Sequence, residues 1–97
     1  MKVIFERGAE RDLQESLRWY RKRSDQAANN FITEVQSAVH SLSSDPFKNR
    51  QVAPDVRAIK FKRYPYCLIY KIIDETVRIY AAAHEKRRTG YWKRRLN

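Results

Sequence analysis

The stretch YCLIYKIIDETVRIYAAA, residues 66–83, decides the fold. Tyr66 to Ile73 is aromatic, β-branched and apolar on both faces, the pattern of a strand in the middle of a sheet. Asp74-Glu75 interrupts it, and Thr76 to Ala83 resumes the strand pattern, so the stretch predicts an antiparallel hairpin. Upstream, Val56 to Lys62 alternates Val56, Ala58, Lys60 and Lys62 against Arg57, Ile59 and Phe61, a strand with one side turned to solvent or a ligand. Phe47 to Asp55 has Asn49, Pro54 and several charges but no period, and reads as a loop.

Towards the amino terminus the period changes. Val3, Ile4 and Phe5 make Lys2 to Phe5 a short opening strand. Ala9, Leu13, Leu17 and Tyr20 then recur at helical spacing, with Arg11, Glu15, Arg18 and Lys22 on other faces, which predicts an amphipathic helix to about Arg23. Ser24 offers a hydroxyl N-cap and Asp25 a first-turn negative charge for a second helix. Its stripe is Ala28, Phe31, Ile32, Val35, Ala38, Val39 and Leu42, and Ser43-Ser44-Asp45-Pro46 ends it, since proline cannot continue the ladder. The expected fold is α+β. An N-terminal strand precedes an antiparallel helical hairpin, which packs on one face of a small, mainly antiparallel sheet (β-α-α-β-β-β); a basic C-terminal tail follows and the other face is left for function.

At 97 residues the chain is expected to form one domain, residues 1–97. Hydrophobic residues make up 42% and charged ones 33%, and no apolar run approaches the roughly 18 residues of a membrane span, so neither a membrane nor an export signal is expected. A lone cysteine, Cys67, builds no internal disulfide framework and agrees with a cytoplasmic location. The charge is uneven. Residues 1–56 carry 9 Lys+Arg against 8 Asp+Glu, whereas residues 57–97 carry 12 against 3. So lopsided a distribution implies one polyanionic contact surface: nucleic acid, ribosome or an acidic protein.

Several residues on that basic side can carry chemistry. Arg57, Lys60, Lys62, Arg63, Arg87 and Arg88 supply fixed positive charge of the kind a phosphodiester transition state needs, with Arg87 foremost; an ion pair pinning the tail to the sheet is its plainer role. His84 ends the last strand, and histidine is the side chain whose ordinary pKa best suits proton exchange near neutrality; in a ribonuclease it would take the proton of a ribose 2′-hydroxyl or return one to the leaving oxygen. A partly buried, backbone-bonded histidine is the structural alternative. Tyr91 and Trp92 lie between Arg87-Arg88 and Lys93-Arg94-Arg95, the interleaving of aromatic planes and cations that binds single-stranded RNA. Packing of Trp92 onto the sheet is the simpler expectation. Neither metal nor cofactor is expected. Asp74, Glu75 and Glu85 are the only acids after residue 56, no His, Cys and carboxylate cluster has ligand spacing, and two glycines cannot build a phosphate loop. Cys67 reads as a small core residue, and His40, within the second helix, as structural or solvent-facing.

Three segments carry a family likeness: Val56-Arg57-Ala58-Ile59-Lys60-Phe61, Tyr64-Pro65-Tyr66-Cys67-Leu68-Ile69-Tyr70, and Val77 to His84 followed by Arg87 and Trp92. With the helix motif Ala9-Glu10-Arg11-Asp12-Leu13, this ordered set resembles the RelE/ParE superfamily of toxins over almost the whole chain. Thr89 departs from it, standing where many relatives have proline. The resemblance implies the toxin of a type II toxin–antitoxin pair of the plasmid-stabilisation kind. Its cognate antitoxin would neutralise it through an acidic C-terminal segment, and the complex would bind operator DNA. RelE-like members are ribosome-dependent, metal-independent mRNA endoribonucleases; on that branch His84, Arg87, Arg57 and Tyr91 would be catalytic. ParE-like members act on DNA gyrase, and the proline-tyrosine strand and long helical hairpin are more similar to that branch. Lys60, Lys62, Arg63, Arg88, Trp92, Lys93, Arg94 and Arg95 would then contact the target or nucleic acid. A non-toxic nucleic-acid-binding relative is the third possibility.

Overall fold

A computed structural model describes residues 1–96. Strand β1 (Lys2–Phe5) leads into α1 (Arg7–Arg23) and α2 (Asp25–Ser44). The joint is as tight as the sequence predicts: the Ser24 amide still bonds Tyr20 at 2.9 Å while its hydroxyl accepts the Ala27 amide at 3.2 Å, ending one helix and capping the next. The Asp45 side chain accepts the Phe47 amide and starts a single 3-10 turn, Pro46–Lys48. Strands β2 (Gln51–Ala53), β3 (Val56–Lys60), β4 (Tyr66–Ile73) and β5 (Thr76–His84) complete a five-stranded sheet in the order β1-β5-β4-β3-β2. Only the β1–β5 pair is parallel. A second 3-10 helix, Tyr91–Leu96, ends the described chain.

The predicted hairpin is present, with Asp74 and Glu75 both at positive φ (50° and 61°) as a two-residue turn between twisted strands requires. Two details differ from expectation. Residues 51–53 form an edge strand where a loop is expected, because three residues are too few to show a period and their pairing is supplied by β3. In addition, β3 stops at Lys60 and not Lys62: the Glu34 carboxylate of α2 accepts the amides of both Lys62 and Arg63, at 2.8 and 3.0 Å, and pulls the chain out of the ladder.

Both faces of the sheet are packed. Against one lie the helices, through Phe31, Leu42, Leu68, Tyr70, Val77 and Ile79, all 1% exposed or less, beside an aromatic group of Tyr20, Phe31, Phe61, Tyr64 and Tyr66. Against the other, which the sequence reading leaves for function, the tail folds back. Trp92 is 7% exposed over Val56, Ala58, Ile69, Ala81 and Ala83, since a large apolar ring beside a small-residue surface is driven to bury itself. Among the described residues no helix is long and apolar enough to cross a membrane.

Candidate functional site

One face of α1 carries Asp12, Glu15, Ser16, Trp19 and Tyr20, positions that recur at helical spacing. Opposite them β5 brings Ala82 and His84, and Tyr66 pairs with His84 from β4. A bulge makes this possible. Ile69 pairs with Ala81 and Tyr70 with Ile79, so Tyr80 is the unpaired extra residue, and beyond it the alternation of β5 is reversed. Val77 and Ile79 face the helices before the bulge; Ala82 and His84 do so after it. The result is a groove of about 370 Å³ lined by these residues and Arg87, with Trp19, 51% exposed, beside it. Arg23 stands 3.6 Å from the centre of the Trp19 ring.

His84 is held at two points. Its ring meets that of Tyr66 edge to face at 5.0 Å, and its Nδ1 accepts the Lys86 amide at 3.0 Å. That hydrogen bond assigns the proton of the neutral ring to Nε2. The neutral imidazole therefore presents a donor to its surroundings, and the lone pair a general base needs is already occupied.

Asp12 organises the floor. It is 6% exposed, and its carboxylate accepts the Ala82 amide (3.0 Å), the Tyr91 hydroxyl (3.2 Å) and two bonds from Arg95, Nη1 to Oδ2 at 2.7 Å and Nη2 to Oδ1 at 3.2 Å. Arg95 also donates to the Tyr80 carbonyl at 3.1 Å. One carboxylate thus ties α1, β5 and the C-terminal 3-10 helix together. The Tyr91 phenol is pushed up to about 12, first by burial and then by the Asp12 charge, while the bond to Asp12 raises Arg95 above its ordinary value. In the sequence Asp12 is marked only by its place in the family-like helix motif Ala9 to Leu13, which says nothing of this role.

The residues expected to act together are dispersed. Arg87 does reach the His84 groove and stands 4.0 Å from the Tyr91 ring centre. Arg57 does not: it pairs with Tyr70, four residues along β4 from the His84 partner Tyr66 or about 13 Å away. Its guanidinium there donates to the Phe47 and Asn49 carbonyls. Lys60 pairs with Glu85 at 3.3 Å, and Lys62 and Arg63 are exposed on the β3–β4 connection. Trp92 is buried, Tyr91 and Arg95 are engaged by Asp12, and Arg88, Lys93 and Arg94 are exposed around a second hollow formed by the tail. Burial also raises the Cys67 thiol on β4, away from the nucleophilic range. Among the described residues no three His, Cys, Asp or Glu are arranged to hold a metal.

Comparison with known proteins adds a family match. Residues 3–89 match the model of the ParE toxin of the type II toxin–antitoxin system parDE. Among solved structures the chain is similar to one from the chromosomal ParDE system of P. aeruginosa (TM-score 0.75, 17% identity, 87% of this chain and 95% of that one). It is also similar to a chain of the intact E. coli RelBE toxin–antitoxin complex (0.59, 20%, 89% and 98%) and to the isolated E. coli RelE toxin (0.55, 22%, 96% and 93%). At these identities the structural likeness shows the fold alone. No curated protein sequence matches the chain.

Proposed function

This chain belongs to the ParE toxin family of type II toxin–antitoxin systems, and from that premise we propose that it arrests growth by binding and disabling DNA gyrase in the cytoplasm, without cutting RNA. The observation that carries this is the state of His84. Its Nδ1 is occupied by the Lys86 amide, so in the neutral form it offers no base towards a ribose hydroxyl. Of the other members of a nuclease set only Arg87 reaches the groove; Arg57 is bound to backbone carbonyls and the Tyr91 hydroxyl to Asp12. What stands at the groove is a recognition surface: an exposed tryptophan with Arg23, His84 and Arg87 around it.

The partner that neutralises it is an antitoxin whose acidic, amphipathic C-terminal segment folds on contact, its apolar side meeting Trp19 and its acids the flanking arginines. The complex, through the antitoxin, binds operator DNA. Co-expression with the adjacent short reading frame raises soluble yield, and the complex weakens with salt. Failure of every adjacent frame to co-purify at low salt removes the antitoxin from the proposal.

A ribosome-dependent ribonuclease is the second reading, favoured by His84 and Arg87 lining one groove. Purified wild type, His84→Ala and Arg87→Ala are assayed in parallel for inhibition of DNA supercoiling and for cuts in ribosome-bound message. The expected outcome is inhibited supercoiling and intact message, with His84→Ala close to wild type and Arg87→Ala weaker, because a binding surface loses affinity mainly at its anchors. Message cleavage that drops by about two orders of magnitude in His84→Ala, with gyrase untouched, selects the nuclease instead.

A further inference from the structure

The C-terminal 3-10 helix does more than close the sheet. Gly90, at φ +78°, turns the chain so that Lys93 and Arg94 come back beside Arg87 and Arg88, and a Cβ at Gly90 would stand 3.2 Å from the Lys93 side chain. The hollow between them, about 610 Å³, is lined by Arg87, Arg88, Lys93 and Arg94, together with Thr89, Gly90, Tyr91 and Arg95. No acid lines it. Of its five cations only Arg95 has a carboxylate within ion-pair distance among the described residues; the other four are exposed. Like charges so concentrated repel one another, and here the fold holds them together through Trp92, buried under the sheet, and the Asp12–Arg95 pair.

We infer that this hollow is a binding site for the phosphate backbone of duplex DNA, contacted by the toxin itself. An acidic protein segment fits it less well, because a protein interface needs an apolar anchor and the one aromatic residue here, Tyr91, is covered by Arg87 and Arg95 at 4.0 and 5.1 Å from its ring centre. The same coverage denies single-stranded RNA a ring to stack on, and Trp92 is buried beneath. Charge without stacking or apolar contact is the recognition of a regular phosphate backbone, independent of sequence. The inference does not depend on gyrase being the target; DNA held by gyrase and operator DNA present the same phosphates.

The test uses the purified toxin alone with a 25-bp duplex of random sequence, followed by fluorescence anisotropy from 50 to 200 mM salt. With four phosphate contacts the affinity should fall about two orders of magnitude over that range, and the double variant Arg88→Gln/Arg94→Gln should halve the logarithmic slope. Arg18→Gln/Lys22→Gln removes equal charge on the exposed side of α1 and should bind almost as wild type. Circular dichroism confirms that both variants fold. No binding at 50 mM salt, equal weakening by the two double variants, or tighter binding to single-stranded RNA of the same length overturns the inference. Supercoiling assays on the same variants separate its failure from that of the gyrase proposal, since gyrase inhibition that survives without DNA binding leaves the latter standing. A duplex carrying an operator from the adjacent locus, compared with the random one, shows whether the source matters; equal affinity is expected from a site that reads only phosphates.

Discussion

The two faces of the sheet are closed by unequal means. One is covered by two helices of 17 and 20 residues, which place Phe31, Leu42 and an aromatic group against β3, β4 and β5. The other is covered by six residues, with Trp92 the one buried side chain, Tyr91 and Leu96 packed beside it, and one ion pair at the edge. The first closure spreads its energy over many contacts, so that removing one weakens the whole molecule. The second concentrates it, and the basic residues it carries keep their arrangement only while the clasp of Asp12, Tyr91 and Arg95 holds.

The largest effect is therefore expected on the helical side. Phe31→Ala should cost about 3–5 kcal/mol in urea unfolding, because it empties a site where the ring meets Tyr20, Phe61, Tyr64 and Tyr66. The transition should stay cooperative; a separate early phase would mean that the two faces unfold independently. Asp12→Ala should follow at about 2–3 kcal/mol, below the usual loss for a wholly buried pair because Arg95 keeps 24% exposure. Its distinguishing sign is local: trypsin should cut within residues 87–95 long before it reaches the helices, and equal protection in wild type and variant would sink the clasp. Ser24→Ala removes a cap at the helical joint and should cost about 1 kcal/mol without changing tail proteolysis.

The smallest difference is expected in alkali. The Tyr20 and Tyr91 phenols, one on each side, are both raised from 10 to about 12, so the unfolded chain loses these protons first. Their contribution is complete below pH 10 and is lost as the pH rises towards 12. Tyr91→Phe should flatten that decline and leave the part due to Tyr20 and to Tyr70 and Tyr80, whose phenols burial also raises. An unchanged profile would mean that the phenol on the tail does not titrate with folding.

Much of the architecture was legible because its causes are local. The hairpin at Asp74-Glu75, the joint at Ser24 and the stop at Pro46 depend on residues within a few positions of one another, and each lies where its chemistry predicts. The groove was less legible. His84 and Arg87 were visible as candidates, but Glu15 and Trp19, which share their groove, look in the sequence like the outer face of an ordinary amphipathic helix. Arg57 shows the converse: its place in a family-like segment says nothing of the Phe47 and Asn49 carbonyls that hold its guanidinium.

By itself the sequence determined the order of the helices and main strands, the apolar stripes of the helices and the concentration of positive charge after residue 56, since periodicity, capping and net charge are properties of the chain read in order. Tertiary structure alone decided which way His84 points and what Asp12 does. The first hangs on one unpaired residue, Tyr80, which reverses the side-chain alternation of β5 and can be recognised only once β4 is laid beside it. The second joins Asp12 to Arg95 across 83 positions of chain, a contact with no local cause, formed because folding brings α1, β5 and the tail to the same edge of the sheet.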